Sequence, residues 1–194
     1  MAHGSLCPVR VRTREFRRVP VGAEVRTDGV HFRVWAPCRQ SVEVVGQQRF
    51  RTSLSREDGG YFSGASDQLG EGSRYAFSLD GGDPVPDPAS RFQPEGPAGW
   101  SEIVDPDRFE WTDADWSGVQ ATGQVIYELH VGTFTPEGTF DAAARHLVYL
   151  RDLGITLVEL MPVADFPGRF GWGYDGVSLW APSRLYGRPD DLRR

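Results

Sequence analysis

The sequence lacks asparagine and lysine, and it contains only two cysteines among 194 residues. Without asparagine, the chain has no acceptor for N-glycosylation. Cys7 and Cys38 are too few for a disulfide framework, and they do not have the spacing of a metal site. The four histidines are scattered and show no zinc-motif spacing. We therefore expect free thiols in a reducing compartment and no metal centre.

Long apolar runs are also missing from the sequence. No segment approaches the length of a membrane span, and the amino-terminal region lacks the apolar core of a signal peptide. The formal net charge of −6 argues against a nucleic-acid partner. These absences predict a soluble, cytoplasmic protein that has no membrane partner. One basic cluster lies near the start, and we interpret it as a solvated arm rather than a binding patch: Arg10, Arg12, Arg14, Arg17 and Arg18.

Residues 1–15 show no periodicity and are interpreted as a tail. From Val19 to Leu79, short runs that alternate apolar and polar residues lie between turn signals rich in glycine and aspartate. Alternation with a period of two at this spacing predicts an antiparallel β-sandwich of about seven strands and no helix. Trp35 ends the clearest of these runs. Its indole could stack on a sugar, but we favour packing, because aromatic residues of this kind mostly supply core area.

A proline-rich segment follows, with five prolines between Pro84 and Pro97. Such a segment cannot be a central strand, and we expect an ordered, extended strap along a domain interface. Five large apolar residues further on are predicted to anchor the crossing to the next domain: Ile103, Val104, Phe109, Trp111 and Trp116. This places a sandwich domain at residues 16–110 and a linker at residues 111–124.

The second half reads as strand, helix and strand. Apolar runs start at Val125 and at Gly154, and between them Thr139 is placed to cap a helix that Gly154 ends. The predicted apolar face of this helix is Phe140, Ala144, Leu147 and Leu150, with Ala143 and Leu153 alongside. This order predicts a parallel pair of strands, and sites in such folds lie in the loops after the strands. The loop after the second strand, from Phe166 to Val177, is dense in glycine and aromatic residues, and another helix is predicted near Pro189.

Three motifs in this half resemble the opening of the α-amylase superfamily barrel. They are Tyr127-Glu128-Leu129-His130-Val131-Gly132, Leu160-Met161-Pro162 and Gly171-Trp172-Gly173-Tyr174-Asp175-Gly176-Val177. Within that superfamily the chain is most similar to the maltooligosyltrehalose trehalohydrolases, which hydrolyse an α-1,4 bond to release trehalose. The earlier pieces Phe32-Arg33-Val34-Trp35-Ala36-Pro37 and Asp87-Pro88-Ala89-Ser90-Arg91-Phe92-Gln93-Pro94 fit the same family. The resemblance implies an immunoglobulin-like, carbohydrate-module-like sandwich followed, at residues 125–194, by the first units of an incomplete (β/α)8 barrel.

The resemblance also implies roles for individual residues. Tyr174 would stack under the glucose next to the cleaved bond, Asp175 would bond sugar hydroxyls or orient its neighbours, and Trp172 would form a wall of the pocket. Glu128 and His130 share one face of the first strand and are expected to form hydrogen bonds inside the barrel. His130 is nearer the productive end of the strand and could reach the sugar. No cofactor is implied.

Catalysis of the retaining kind needs two carboxyl groups about 5 Å apart. By the resemblance, these groups come from later strands and are expected downstream of Arg194, so none of the four candidates is the nucleophile or the acid: Glu128, Glu159, Asp165 and Asp175. A complete barrel takes about 250 residues, and we expect this chain to be a fragment that is inactive alone. The predicted partner is maltooligosyltrehalose or another α-glucan. Two alternatives stay open: a non-catalytic glucan-binding sandwich, and a fragment of a glycogen branching or debranching enzyme.

Overall fold

The computed structural model describes residues 17–47 and 49–194. The predicted tail, Cys7 and three arginines of the basic cluster (Arg10, Arg12 and Arg14) lie outside the described residues. Arg17 is described, and it is not part of a solvated arm. Its guanidinium is largely buried and donates hydrogen bonds to the carbonyl oxygens of Val19, Gly22 and His31. The interpretation of the cluster as a solvated arm is therefore wrong at Arg17.

Two antiparallel four-stranded sheets form a sandwich, as the alternating runs predict. One sheet has the strand order β1-β2-β6-β5 and the other has the order β4-β3-β7-β8. The strands are β1 (Gly22–Arg26), β2 (Gly29–Trp35), β3 (Val42–Gly46), β4 (Arg51–Ser53), β5 (Ser55–Arg56), β6 (Tyr61–Ser66), β7 (Arg74–Leu79) and β8 (Ser101–Glu102). Seven of them precede the strap, and the only helical turn described among them is the 3-10 turn Asp58–Gly60.

Alternate residues of the strands supply the core of the sandwich. In β2, Val30, Phe32 and Val34 are buried, and Phe32 packs against Tyr75 with ring centroids 5.1 Å apart. Trp35 continues the same strand, yet it is 59% exposed, and its indole N–H donates to the carbonyl of Gly59 at 3.0 Å. The expected packing of Trp35 in the sandwich core is therefore wrong, whereas packing against further barrel elements stays a prediction.

The proline-rich strap is buried against the second sheet without forming a central strand. Asp87 is completely enclosed: it accepts hydrogen bonds from the Tyr75 hydroxyl at 2.6 Å and from the Ala89 amide at 2.8 Å. Its own amide donates to Ser101 Oγ in β8. Burial raises the pKa of Asp87, and its hydrogen bonds oppose that rise. Among the described residues, the strap thus has one β-bridge to the sheet, between Val85 and Phe77, and side-chain hydrogen bonds in which the amides of Asp87 and Ala89 donate.

The predicted anchors of the crossing have different outcomes. Ile103 is wholly buried in the sandwich core, as expected. Trp111 and Trp116 are mostly exposed, because residues 110–120 run over the surface. Trp111 instead makes an edge contact with Phe109, with ring centroids 5.0 Å apart. Both tryptophans were therefore wrongly predicted as anchors.

The second half contains the predicted parallel pair, β9 (Ile126–Leu129) and β10 (Leu157–Leu160). Between them lie α1 (Val131–Phe134), α2 (Phe140–Arg145) and α3 (Leu147–Leu153), and after them come β11 (Ala164–Asp165), β12 (Ser178–Pro182) and α4 (Pro189–Arg193). Thr139 caps α2 by accepting a hydrogen bond from the Ala142 amide, and Gly154 ends α3 in the left-handed conformation, as predicted.

The single helix expected before Gly154 is divided into two. His146, with φ −93° and ψ −3°, separates α2 from α3. Phe140, Ala143 and Leu150 of the predicted apolar face are buried as expected. The other members of the predicted face, Ala144, Leu147 and Leu153, are exposed. The break at His146 changes the direction of the helical face, so a strict helical period does not continue through it.

A buried carboxylate connects the two halves. Glu102 of β8 is almost completely enclosed; Arg74 Nη2 lies 3.1 Å from it on one side, and Arg188, just before α4, donates to it on the other. The Arg188 guanidinium also lies over the ring of Phe92 in the strap, 4.7 Å from its centroid. Residues from the second sheet, the strap and the second half therefore share one ion-pair network. No described helix is long and apolar enough to cross a membrane.

A histidine in β2 makes the stability of the sandwich depend on pH. His31 Nδ1 lies 2.6 Å from Arg17 Nη1, and because a guanidinium only donates, this ring nitrogen must keep its lone pair. Burial, with the Arg17 charge as the second cause, lowers the pKa of His31 to about 4.

We expect the free energy of unfolding to fall as the pH is lowered from 6.5 to about 4. In this window the unfolded chain binds a proton at His31 and the folded chain does not. Urea unfolding of His31→Gln should show a shallower slope, by at most about 1.4 kcal/mol per pH unit, the limit for one proton. Carboxylates titrate in both proteins and cancel in the comparison. In an NMR titration, Arg17→Gln should raise the pKa of His31. A pKa close to 6.5 in the unmodified chain would contradict this account.

Candidate functional site

The loop rich in glycine and aromatic residues is closed at its base by β11 and β12. Asp165 pairs with Ser178 and Ala164 pairs with Pro182, with a shift in register between them. The Val177 amide also donates to the carbonyl of Asp165 at 2.8 Å. The residues between the two strands therefore leave the fold and return to it at one point, and this brings the tip of the loop to the surface.

An arginine beyond β12 fixes the first part of this loop. Arg184 Nη1 donates to Asp165 Oδ1 at 2.8 Å and to the carbonyl of Phe166 at 3.0 Å, while its Nη2 donates to the carbonyl of Gly168 at 3.1 Å. Asp165 is completely buried, and its Oδ2 has no hydrogen-bond partner among the described residues. A carboxylate enclosed beside an arginine in this way has a structural role.

His130 fixes the second part of the loop from below. Its Nε2 lies 2.8 Å from the carbonyl oxygen of Gly171 and 3.2 Å from the hydroxyl of Tyr186. Its Nδ1 lies 3.3 Å from the hydroxyl of Thr133. The backbone of His130 is held at the same time, because its carbonyl accepts from the amides of Thr133 and Phe134. Both nitrogens of the imidazole are thus in contact with protein groups.

An open cleft of about 560 Å³ lies above these contacts, within the range of small-molecule sites. The buried rings of Phe166 and Tyr186 form its floor, while Phe170 and Trp172 stand at the rim, 88% and 79% exposed. The remaining lining residues are His130, Gly132, Thr133, Met161, Arg169 and Gly171. Aromatic faces beside a few polar groups form a surface to which a sugar ring can bind.

The structure brings together only part of the predicted set. Trp172 and His130 line the cleft, whereas Tyr174 and Asp175 are exposed and lie outside its lining. Tyr174 is 71% exposed, so its ring presents free surface. Glu128 and Glu159 occupy matching positions of β9 and β10, and both side chains are exposed.

The catalytic carboxylates were expected downstream of Arg194, and this expectation stays a prediction. Arg194 itself does not line the cleft. Its guanidinium donates to Asp141 Oδ1 in α2 at 3.2 Å and lies 3.7 Å from Asp191 Oδ1 in α4. Arg194 therefore connects these two helices and has no role in the candidate site.

Sequence reasoning missed several residues that shape the cleft. Tyr186 is the most important of them: it is buried, it contacts His130, and it lies after the end of the loop, where no motif pointed to it. Phe166, Arg169 and Phe170 were visible as part of the loop and Met161 as part of a motif, but they carried no assigned role, and Thr133 was not considered. Their position in the sequence could have identified them, since each follows the carboxyl end of a strand or lies within the loop.

Comparison with known proteins shows which proteins this chain resembles. A model for carbohydrate-binding module 48, the isoamylase N-terminal domain, matches residues 20–106. Malto-oligosyltrehalose trehalohydrolase of Saccharolobus solfataricus is 47% identical over 173 residues, which cover 89% of this chain and 31% of the relative. The protein of the same name from Deinococcus radiodurans is 46% identical over 189 residues, covering 95% of this chain and 31% of the relative. The resemblance to trehalohydrolases is confirmed.

The match to the trehalohydrolases covers the two chains to very different extents. It includes nearly all of this chain, but the chain spans about 31% of the length of these relatives. A crystal structure from Salmonella typhimurium, assigned to the alpha amylases, superposes with a TM-score of 0.84 at 44% identity. It covers 89% of this chain, while this chain covers 30% of it. The sandwich and the segment that carries the cleft therefore occur together in a larger protein.

Two glycines of the loop offer a test of how firmly its path is held. Gly173 and Gly168 have similar left-handed φ angles, +92° and +84°. A Cβ on Gly173 would lie 2.5 Å from the carbonyl oxygen of Pro162, whereas a Cβ on Gly168 would meet nothing within 4 Å.

Alanine at either position should cost about 1–2 kcal/mol for the left-handed backbone. Gly173→Ala should cost about 1–3 kcal/mol more than Gly168→Ala, because Pro162 would have to move. Urea unfolding of the two variants measures the difference directly, and Gly168→Ala serves as the matched control. Equal destabilisation would mean that the Pro162–Gly173 contact does not constrain the loop.

Proposed function

We propose that the chain forms the amino-terminal part of a maltooligosyltrehalose trehalohydrolase, the enzyme that hydrolyses the α-1,4 bond between trehalose and the rest of the oligosaccharide. The observation that carries this proposal is the 46–47% identity over 89–95% of the chain. Residues 16–110 would be the glucan-binding sandwich, residues 111–124 the linker, and residues 125–194 the first units of a (β/α)8 barrel.

The parallel pair β9–β10 supports the barrel assignment. Neither strand pairs on its outer edge with any described residue. Large apolar side chains also remain exposed on the strands and on α3, including Ile126, Leu160, Val148 and Tyr149. A barrel would pair both edges and cover these side chains with the next strand–helix units. In that setting Glu128 and Glu159 would face its interior.

The cleft supports the assignment of His130 and Trp172, which line it, whereas Tyr174 and Asp175 lie outside its lining. The cleft lies at the carboxyl ends of β9 and β10, which is the catalytic face of such barrels. Tyr174 would stack under a glucose, with Trp172 as a wall, Asp175 near the sugar hydroxyls and His130 below the rim. The two catalytic carboxylates would come from other strands. Of the four carboxylates considered, Asp165 forms an ion pair with Arg184. Glu128 and Glu159 are neighbours on one exposed face of the strand pair.

A second candidate function is glucan binding by the sandwich itself. The exposed Trp35 favours it, because the bond from its indole N–H to Gly59 holds a flat ring open to solvent. The family model that covers this region describes a carbohydrate-binding module. The two candidates are compatible, since the Trp35 surface and the cleft belong to different elements.

A chimera tests the trehalohydrolase proposal. Residues 1–194 would replace the matching 31% of the Deinococcus radiodurans relative, and the product would be incubated with maltotriosyltrehalose. We expect released trehalose from the chimera and none from this chain alone, because the resemblance places the carboxylate pair that the reaction needs outside residues 1–194. The control is the relative with its matching 31% deleted and not replaced, and it should also be inactive. A chimera that melts cooperatively but releases no trehalose contradicts the proposal.

The same chimera tests Tyr174. Tyr174→Ala removes the stacking surface, and it should lower kcat/KM by about 30- to 1000-fold, equivalent to about 2–4 kcal/mol of transition-state stabilisation. Tyr174→Phe keeps the ring and should change kcat/KM little, so it serves as the matched control. Melting temperatures would confirm folding of both variants. Near-normal kinetics in Tyr174→Ala would remove this residue from the site.

A further inference from the structure

We propose that His130 is a positioning residue: it holds the Gly171 carbonyl so that Phe170 and Trp172 stand at the rim of the cleft, and it does not bind the sugar itself. This inference rests on the proposed function for what enters the cleft. The arrangement of the imidazole, the loop and the two rings is a property of this chain.

The hydrogen bonds of the ring assign its tautomer. A carbonyl oxygen only accepts, so the 2.8 Å contact with Gly171 requires the proton to be on Nε2 of His130. Nδ1 of a neutral ring then carries the lone pair and accepts from the Thr133 hydroxyl at 3.3 Å. The single N–H of the neutral imidazole is already used by the loop. A sugar hydroxyl could bind His130 only by displacing one of these partners.

The bonded carbonyl lies at the point where the loop is most tightly packed. A Cβ on Gly171 would lie 2.8 Å from the ring of Phe166, so the backbone here rests directly on the floor of the cleft. Phe170 and Trp172 are the residues on either side of Gly171, and both are largely exposed. A bond to the carbonyl between them therefore fixes the backbone from which both rings project.

The other anchor of the loop does not duplicate this one. Arg184 binds Asp165, Phe166 and Gly168, all before the rim. Loss of the His130 bond would leave that first part in place and free the part that carries Phe170 and Trp172. We therefore expect a change in the rim without unfolding of the chain.

Spectroscopy on this chain alone tests the positioning role independently of any activity. Nitrogen-15 spectra of the histidine rings should show the proton of His130 on Nε2. His130→Phe keeps a ring but loses the donor, and it should shift the indole N–H resonance of Trp172. His130→Gln places an amide N–H near the position of Nε2 and should restore that resonance toward its original place. The proposal is overturned if the proton lies on Nδ1, or if the Trp172 resonance is unchanged in both variants.

Kinetics in the chimera test the consequence for binding. Loss of one neutral hydrogen bond corresponds to about 2- to 12-fold, and we expect His130→Phe to raise KM by this factor with kcat largely retained. His130→Gln should recover most of the loss. If His130 acts through the rim, His130→Phe should have almost no further effect in a Trp172→Ala background. Additive losses would mean that His130 contacts the sugar directly, and they overturn the proposal.

The two arms separate this inference from the proposed function. An inactive chimera with the expected spectra would reject the trehalohydrolase assignment and leave the positioning role of His130 in place. An active chimera in which the two substitutions are additive would do the reverse.

Discussion

The side chain of Tyr186 contacts several elements of the second half and holds them together. Its ring packs edge-on against Phe140 and His130, and it is tilted against Phe166. Its hydroxyl lies near His130 Nε2, and its backbone carbonyl accepts from the amide of Phe140 at the start of α2. A helix start, a strand end and the loop thus meet at one buried ring. Because core packing tolerates little change in volume, the position of the cleft floor follows from this contact.

The sandwich contributes to the same arrangement through charge rather than apolar packing. Arg188, two residues after Tyr186, binds Glu102 and lies over Phe92. A buried carboxylate that lost one of its two arginines would be left undercompensated, and breaking such a pair is strongly destabilising. The geometry of the pair is therefore specific to one orientation of the strap against the second half. This explains how a strap with a single β-bridge, between Val85 and Phe77, can still align two units.

The elements of the fold could be predicted from the sequence where local chemistry determined them. Alternation predicted the strands, Thr139 and Gly154 predicted the helix ends, and the density of prolines predicted the strap. The pairing of β9 with β10 was also predicted, but several other predictions that needed long-range information failed. The break at His146, the exposure of Trp35 and Trp111 and the burial of Arg17 all depend on neighbours that are distant in sequence.

The candidate site shows the same division. The loop and Trp172 could be predicted because glycine and aromatic residues cluster there, and position after a strand is a strong guide to sites. Tyr186 could not be predicted, because a tyrosine between polar residues looks the same whether it lies on the surface or in the core. His130 was predicted as part of the site, but the direction of its hydrogen bonds required the Gly171 carbonyl, which is 41 residues away.

The distribution of apolar surface connects the fold to the function. In the sandwich, the core between the two sheets is filled by Phe32, Tyr75, Phe77 and their neighbours. The apolar faces of both sheets are therefore covered within this unit. In the second half, the core around Tyr186 covers the face of the β9–β10 pair that carries Leu129 and Val158, while Ile126 on the opposite face and Val148 on α3 stay open to water. An exposed apolar strand face is a surface that a further layer of secondary structure commonly covers. Neither outer edge of the pair is bonded to another described strand, and such an edge can pair with a further strand. The cleft floor is thus packed by residues of this chain, whereas the Ile126 face and the two strand edges stay exposed among the described residues.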